Sequence, residues 1–258
     1  MRVVTFAVIV NLSLPCAFQV AVAQQKEPVY DGKPVSEWIA RLKDKDDNVR
    51  LKAFFSLRQL GPEAKAAVPV LLESLKDTNA TVRCESAFTL QRIGPAAKPA
   101  IPTLIETLKD KDYSVRFWSV VALSEFGVDA RVAAPALAPL LRDTDVVLRA
   151  KAARGLWLMG EKKEEALAVL NDLLADKREV AVSSAAFVLA EIGDADAKSA
   201  VPAVLKALQR PAPSSPGRCG ELYTRHLETN DALRKALKKI DPKATPVGSI
   251  ARVLSAGT

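Results

Sequence analysis

The stretch LKDKDDNVR at residues 42–50 is written again as LKDTNATVR at 75–83, as LKDKDYSVR at 108–116 and, more loosely, as LRDTDVVLR at 141–149. Its aspartates fall at Asp44, Asp77, Asp110, Asp143 and Asp176, each step being 33 residues. Gly61, Gly94, Gly127, Gly160 and Gly193 keep the same step, as do Leu57, Leu90, Leu123, Leu156 and Leu189. A fixed period of that length marks a repeat array in which no unit has a core of its own. The usual size limit of a single domain therefore does not bind a chain of 258 residues.

Each unit reads as two helices. In the third, residues 101–108 (IPTLIETL) place apolar side chains at helical spacing, and 109–111 turn the chain. Asp112 stands where a carboxylate accepts a backbone N–H from the second helix, 113–126. Gly127 ends that helix with a backbone that a side chain would resist. Caps recur as Asp46, Asn79 and Asp145, whereas Arg178 takes that column in the fifth unit and predicts a looser turn there. In the first unit Val49, Ala53, Leu57 and Leu60 share one face of the second helix. Small residues Ala53, Ser86, Ser119, Ala152 and Ala185 form a column that lets helices approach closely. Neither helix buries its apolar face alone, so the units must stack. The expected fold is all-α, a right-handed α-solenoid of stacked helix pairs.

A proline in the first helix, an aspartate in the turn and an arginine early in the second helix recur together. The sets are Pro69, Asp77 and Arg83; Pro102, Asp110 and Arg116; and Pro135, Asp143 and Arg149. This pattern resembles HEAT repeats, in the short HEAT-like form also seen in phycobilin lyases, over about residues 35–200. The first unit keeps Asp44 and Arg50 but has Ser36 for the proline; the fifth keeps Asp176 but has Ala168 and Val182. The resemblance implies that these charged residues form a structural ladder between neighbouring repeats, and that second helices line the concave side. Ankyrin repeats share the period, but their T-P-L-H turn is missing; the aromatic–glycine pattern of tetratricopeptide repeats is missing too. The lyase resemblance implies attachment of a tetrapyrrole to a partner cysteine. The same repeat occurs in many non-lyases, and fold does not imply function.

The ends differ from the array. Residues 1–23 read as an export signal: Arg2 opens it, 3–10 are apolar, and Ala21-Val22-Ala23 closes it with small residues. Asn11, Ser13, Pro15 and Gln19 interrupt the apolar run, against a retained membrane anchor. The expected location is periplasmic or extracellular after cleavage near Ala23, a step that also removes Cys16. Residues 24–34 form a polar leader, and 35–210 hold five full units plus the first helix of a sixth. Residues 211–220 (PAPSSPGRCG) form a loop, 221–242 a basic helix completing the array, and 243–258 a flexible tail. Trp38 stands in the column of Leu71, Leu104 and Leu137 and is read as a core residue covering the open end. Cys84 and Cys219 lie several repeats apart, too far for a disulfide, whose Cα atoms sit within about 7 Å.

Net charge is +7, but residues 24–210 carry 28 Lys and Arg against 26 Asp and Glu, while 211–258 carry 8 against 4. A nearly neutral array argues against a long nucleic-acid track. No HExxH, GxSxG or Walker loop is present, and no CxxC pair suggests zinc. The lone histidine, His226, lies on the terminal basic helix, and the Asp46-Asp47 pair sits in a turn where capping explains it. These features point to no enzyme, no cofactor and no metal. A surface remains. Positions 52, 55, 58 and 59 point away from the core face, yet column 55 reads Phe55, Phe88, Val121, Arg154 and Phe187. Trp118 joins from column 52 and Trp157 from column 58. Two readings stand: an aromatic stripe that grips a protein or peptide, or a column packed between neighbouring helices. The expected protein is an exported, monomeric binding scaffold. The alternative is contact with polyanions or a membrane surface through the basic C-terminal helix.

Overall fold

The computed structural model describes residues 27–193, 195–211 and 220–244. The expectations for the export signal, most of the 211–220 loop with Cys219, and most of the tail lie outside these residues. The chain begins with a two-stranded hairpin, β1 (Val29–Tyr30) and β2 (Lys33–Pro34), turned by Asp31 and Gly32. Twelve helices follow within the described residues, in six pairs. They are α1 (Val35–Arg41) with α2 (Asp47–Leu60), α3 (Val68–Ser74) with α4 (Ala80–Ile93), and α5 (Ile101–Thr107) with α6 (Tyr113–Glu125). Then come α7 (Ala134–Leu137) with α8 (Val146–Leu158), α9 (Lys163–Ala175) with α10 (Glu179–Ile192), and α11 (Val201–Leu208) with α12 (Gly220–Ile240). Each second helix packs on the second helix of the next pair, from α2 through to α12, while the first helices touch one another less. The chain is therefore an α-solenoid whose second helices form the inner, concave row.

Proline placement sets the length of the first helices. Pro69 and Pro102 are the second residues of α3 and α5, where a missing N–H costs nothing. In the fourth unit Pro139 follows Pro135, and the chain beyond Leu137 tightens into a 3-10 turn through Arg142. Ala168 replaces the proline in the fifth unit, and α9 runs uninterrupted for 13 residues. Gly61, Gly94, Gly127 and Gly160 end their second helices at φ between +53° and +73°. Gly193 departs from them, at φ −49°. It is held to glycine by crowding instead: a Cβ would lie 2.6 Å from the Leu189 carbonyl oxygen and 3.2 Å from Ile240.

Every turn is tied in the same way. The carboxylates of Asp44, Asp77, Asp110, Asp143 and Asp176 each accept the backbone N–H two residues on, at 2.7–2.9 Å. Asp46, Asn79, Asp112 and Asp145 cap the second helices from their side chains. Arg50, Arg83 and Arg116 each reach back to two carbonyls of their own turn. The ladder between repeats is closed by direct bonds at Arg83, whose Nε and second nitrogen donate to Asp110 at 2.6 and 2.9 Å. That bond holds the Asp110 carboxyl below its usual range and raises the Arg83 guanidinium. Arg50 instead pairs with Asp47 of its own turn. Arg149 has a buried Nε without a hydrogen-bond partner, although its charge favours the ionised Asp176. Tyr113 makes a further tie, donating its hydroxyl to Asp145 of the next unit at 3.2 Å. Burial, then that carboxylate, pushes its phenol up to about 12.

The fifth turn lacks the side-chain cap of the others, as Arg178 suggested, but it is tied in another way. Val182, at the arginine column, is buried, and the missing donors come from outside the unit. Arg210 of the sixth unit donates to the carbonyls of Asp176 and Lys177 at 2.8 and 3.1 Å. Arg178 folds back onto both oxygens of Asp176 at 3.0 and 2.8 Å.

Both ends of the array are covered. Trp38 is fully buried and its indole N–H donates to the Tyr30 carbonyl at 3.0 Å, so the hairpin seals the first unit. At the far end α12 buries Leu233, Ala236, Leu237 and Ile240 against the array and turns Arg234, Lys235 and Lys238 to water. A polar outer face of this kind is what a terminal repeat requires. Among the described residues no helix is long and apolar enough to cross a membrane.

Candidate concave interface

The concave row divides into two halves with different chemistry. In the first half the aromatic column closes on itself. Phe88 stacks face to face on Trp118, ring centroids 3.7 Å apart, and Trp118 meets Phe117 edge-on at 5.2 Å. The Arg58 guanidinium lies 4.5 Å from the centre of Phe88 and 5.9 Å from that of Phe55, and pairs with Glu85. Phe88, Trp118 and Val121 are half-buried, their surfaces largely taken up by packing between neighbouring second helices. Of Phe55, Phe88, Trp118 and Val121, Phe55 keeps the most exposed face, at 45% exposure, with Tyr30 against its edge.

Trp157 is not on the binding surface that column 58 suggested. It is 4% exposed, and the Lys163 ammonium lies 5.0 Å from its ring centre. The reason is α9: without a proline at residue 168 this helix begins early, at Lys163, and that lysine lies over the Trp157 ring.

The second half opens. Between α8, α10 and α12 lies a cleft of about 580 Å³, floored by Leu158, Phe187, Ala190, Ile192 and Ala232. Phe187 is 46% exposed there, so a large aromatic face meets solvent above an apolar floor. Arg154 forms one wall, held by Glu125 at 3.0 Å and by Glu191. The other wall is α12, which presents Glu228, Asp231 and Lys235. Its place is fixed by Lys239, whose ammonium donates to the Ala190 carbonyl at 2.5 Å and neutralises the C-terminal end of α10. Arg154 and Phe187 thus come together, while Phe55, Phe88, Trp118 and Val121 belong to the other half and Trp157 to the interior. Glu228 and Lys235 escaped the sequence reading because they stand outside the 33-residue register. Their one signal was the break in period after Arg210, which announces that the last helix is unlike the others.

No arrangement suited to covalent chemistry appears at this cleft. His226 is buried behind the wall, its Nε2 3.0 Å from the Asn230 amide and its Nδ1 3.7 Å from Glu179. Burial raises the Cys84 thiol, which makes its nucleophilic thiolate scarcer. Among the described residues no group of three or more His, Cys, Asp or Glu is placed to hold a metal ion. Glu228 and Asp231 interrupt the basic run of α12, and Lys239 is engaged by α10. The described part of that helix is thus a mixed-charge surface.

The HEAT-repeat family model matches residues 35–124 and 68–146. No curated protein sequence matches the chain. Among solved structures, a designed armadillo repeat protein in complex with the peptide (KR)4 is similar over 78% of this chain and all of its own, at 20% identity and TM-score 0.53. A chain of the Kap95p–RanGDP structure is similar over 93% of this chain and 35% of its own, at 14% identity and TM-score 0.57. The CpcE–CpcF complex of phycocyanin lyase from Nostoc aligns over 81% of this chain and 98% of its own, at 19% identity and a TM-score of 0.44. The first two establish a shared solenoid fold.

Proposed function

Residues 35–146 are HEAT repeats and the described chain continues their two-helix stacking to residue 240, and from this premise we propose that the protein is a non-enzymatic scaffold that holds a peptide segment of a partner protein on its concave row. The observation that carries this reading is the cleft between α8, α10 and α12, where Phe187 stays exposed beside apolar lining residues. An aromatic face in a concave site with charged walls has the anatomy of an interaction hot spot. A designed solenoid of the same fold binds a peptide, which supports the same use here. The signal-like residues 1–23 support export, so the partner is sought in the cell envelope or outside the cell.

The test is affinity capture from an envelope extract, with the parent chain beside Phe187→Glu and Phe55→Glu variants shown to melt like the parent. Phe187→Glu should lower recovery of the partner by about tenfold or more, as loss of a hot-spot aromatic does. Phe55→Glu should leave it within about twofold. Equal recovery by all three would move binding off the cleft.

A further inference from the structure

The turn of the second unit carries a pattern that the other turns lack. Its cap is an asparagine, in a column that reads Asp46, Asn79, Asp112 and Asp145, and Thr81 follows two residues on. Asn-Ala-Thr is the acceptor triplet for an N-linked sugar, its middle residue being other than proline. The remaining asparagines of residues 24–258, Asn48, Asn171 and Asn230, are followed at that distance by Arg50, Leu173 and Ala232. A triplet arises easily by chance, so its presentation in the fold decides whether it can react.

The turn presents it as the chemistry requires. Asn79 and Thr81 are both exposed, and so are Lys76, Asp77 and Thr78 before them. The Asn79 side-chain carbonyl Oδ1 accepts the Thr81 backbone N–H at 2.9 Å, and the Asn79 backbone N–H donates to Asp77 at 2.7 Å. These bonds hold the side chain with its carbonyl turned to the helix. The amide nitrogen Nδ2 and the Thr81 hydroxyl have no hydrogen-bond partner among the described residues. The space beside them is open, a hollow that they share with Asp47, Arg50 and Leu51. A sugar joined at Nδ2 leaves Oδ1 in place, so the cap of α4 survives the modification. An aspartate cap offers the helix the same oxygen but has no amide to modify.

We propose that Asn79 is N-glycosylated, a proposal that rests on the export read from residues 1–23. Nδ2 forms a bond to the anomeric carbon of a sugar carried on a lipid diphosphate. The anomeric C–O bond breaks, the diphosphate leaves with the electron pair, and one amide proton passes to a base of the transferase. The sugar stands at the turn of the second unit, three repeats from Phe187, so the cleft reading does not depend on it.

The experiment is mass spectrometry of the full chain purified from the envelope and medium of its source cell. Trypsin cuts after Lys76 and Arg83 and isolates residues 77–83 (DTNATVR). This peptide should carry the added mass of at least one sugar and release sugar fragment ions. Asn79→Asp keeps a cap that three other units use, and Thr81→Val puts in the residue found in that column at Val147 and Val180. Both variants should therefore melt like the parent, and each should lose the added mass completely. Thr81→Ser, which keeps the hydroxyl, should retain it. An unmodified 77–83 peptide from a chain that has lost residues 1–23 overturns the proposal and leaves export standing. An unmodified peptide from a chain that keeps residues 1–23 inside the cell overturns both. Added mass that persists in Asn79→Asp belongs to a threonine hydroxyl and overturns the assignment to Asn79.

Discussion

Arg83 and Asp110 show how much one residue's geometry decides. Both side chains are about one-tenth exposed, two nitrogens of the arginine meet two oxygens of the aspartate, and a third nitrogen serves two carbonyls of the turn. Removing the arginine leaves a buried carboxylate and two carbonyls without donors. Arg83→Ala should therefore lower stability by about 1–3 kcal/mol in urea unfolding, more than Arg116→Ala, which loses two carbonyl contacts and a cation–π contact with Tyr113 but no direct pair with a carboxylate. Lys111→Ala, exposed, should be nearly neutral. The same pair predicts a pH response. The Asp110 carboxyl titrates below its unfolded value, so its contribution is fully present above about pH 4 and is lost as pH falls through the folded value. Acid unfolding of Asp110→Asn should accordingly lack that part of the parent's loss, with the two stabilities converging at low pH. The 33-residue register places this pair in the sequence. It does not say that Arg50 bonds its own turn while Arg83 bonds the next repeat, because the choice depends on distances between stacked units.

At the scale of the element, one column serves two different ends. Pro69 is the second residue of α3, where proline starts a helix. Ala168 occupies the same column but is the sixth residue of α9, because that helix begins earlier, after Lys162 in a left-handed conformation. Restoring the repeat's proline there would remove an internal hydrogen bond. Ala168→Pro should cost about 3 kcal/mol in chemical unfolding, although the same residue is favourable in three other units. The fifth turn teaches a similar lesson. Its arginine is lost from residue 182, and Arg210, just past the end of α11, supplies the donors. Arg210→Ala should speed hydrogen exchange at residues 177–183, with the turns at 77 and 110 unchanged. The tie from Arg210 is not legible in the sequence, where Arg178 at the cap column suggests only a looser turn, since no local pattern shows a donor arriving from 34 residues away.

At the scale of the molecule, the array is a one-dimensional stack in which each unit depends on its neighbours. Repeats two and three follow the register closely, and the concave row from α2 to α6 is packed by Arg58, Phe88 and Trp118. Irregularity accumulates towards the C-terminal end: a full-length α9, a cap column filled by Arg178, and an α12 of 21 residues beside second helices of 13 or 14. The cleft beside Phe187 lies there. Deleting residues 212–258 should uncover Val188, Leu189 and Ile192 on α10, which are buried in the intact chain. The shortened protein should bind a hydrophobic dye and show non-coincident unfolding of its last repeats by calorimetry, whereas loss of 245–258 alone should do neither.

The period of 33, the helix boundaries of the third unit, the turn aspartates, the caps at Asp46, Asn79, Asp112 and Asp145 and the burial of Trp38 were legible because each depends on short-range chemistry repeated in register. A glycine that ends a helix or an aspartate that caps one acts within a few residues of itself, and repetition makes the signal unmistakable. The burial of Trp157, the stacking of Phe88 on Trp118, the closing of the fifth turn by Arg210 and the cleft beside Phe187 came only with the tertiary structure. Each depends on how far one helix extends over another. That distance is set by departures from the repeat, and a pattern read from its regular copies carries no information about them.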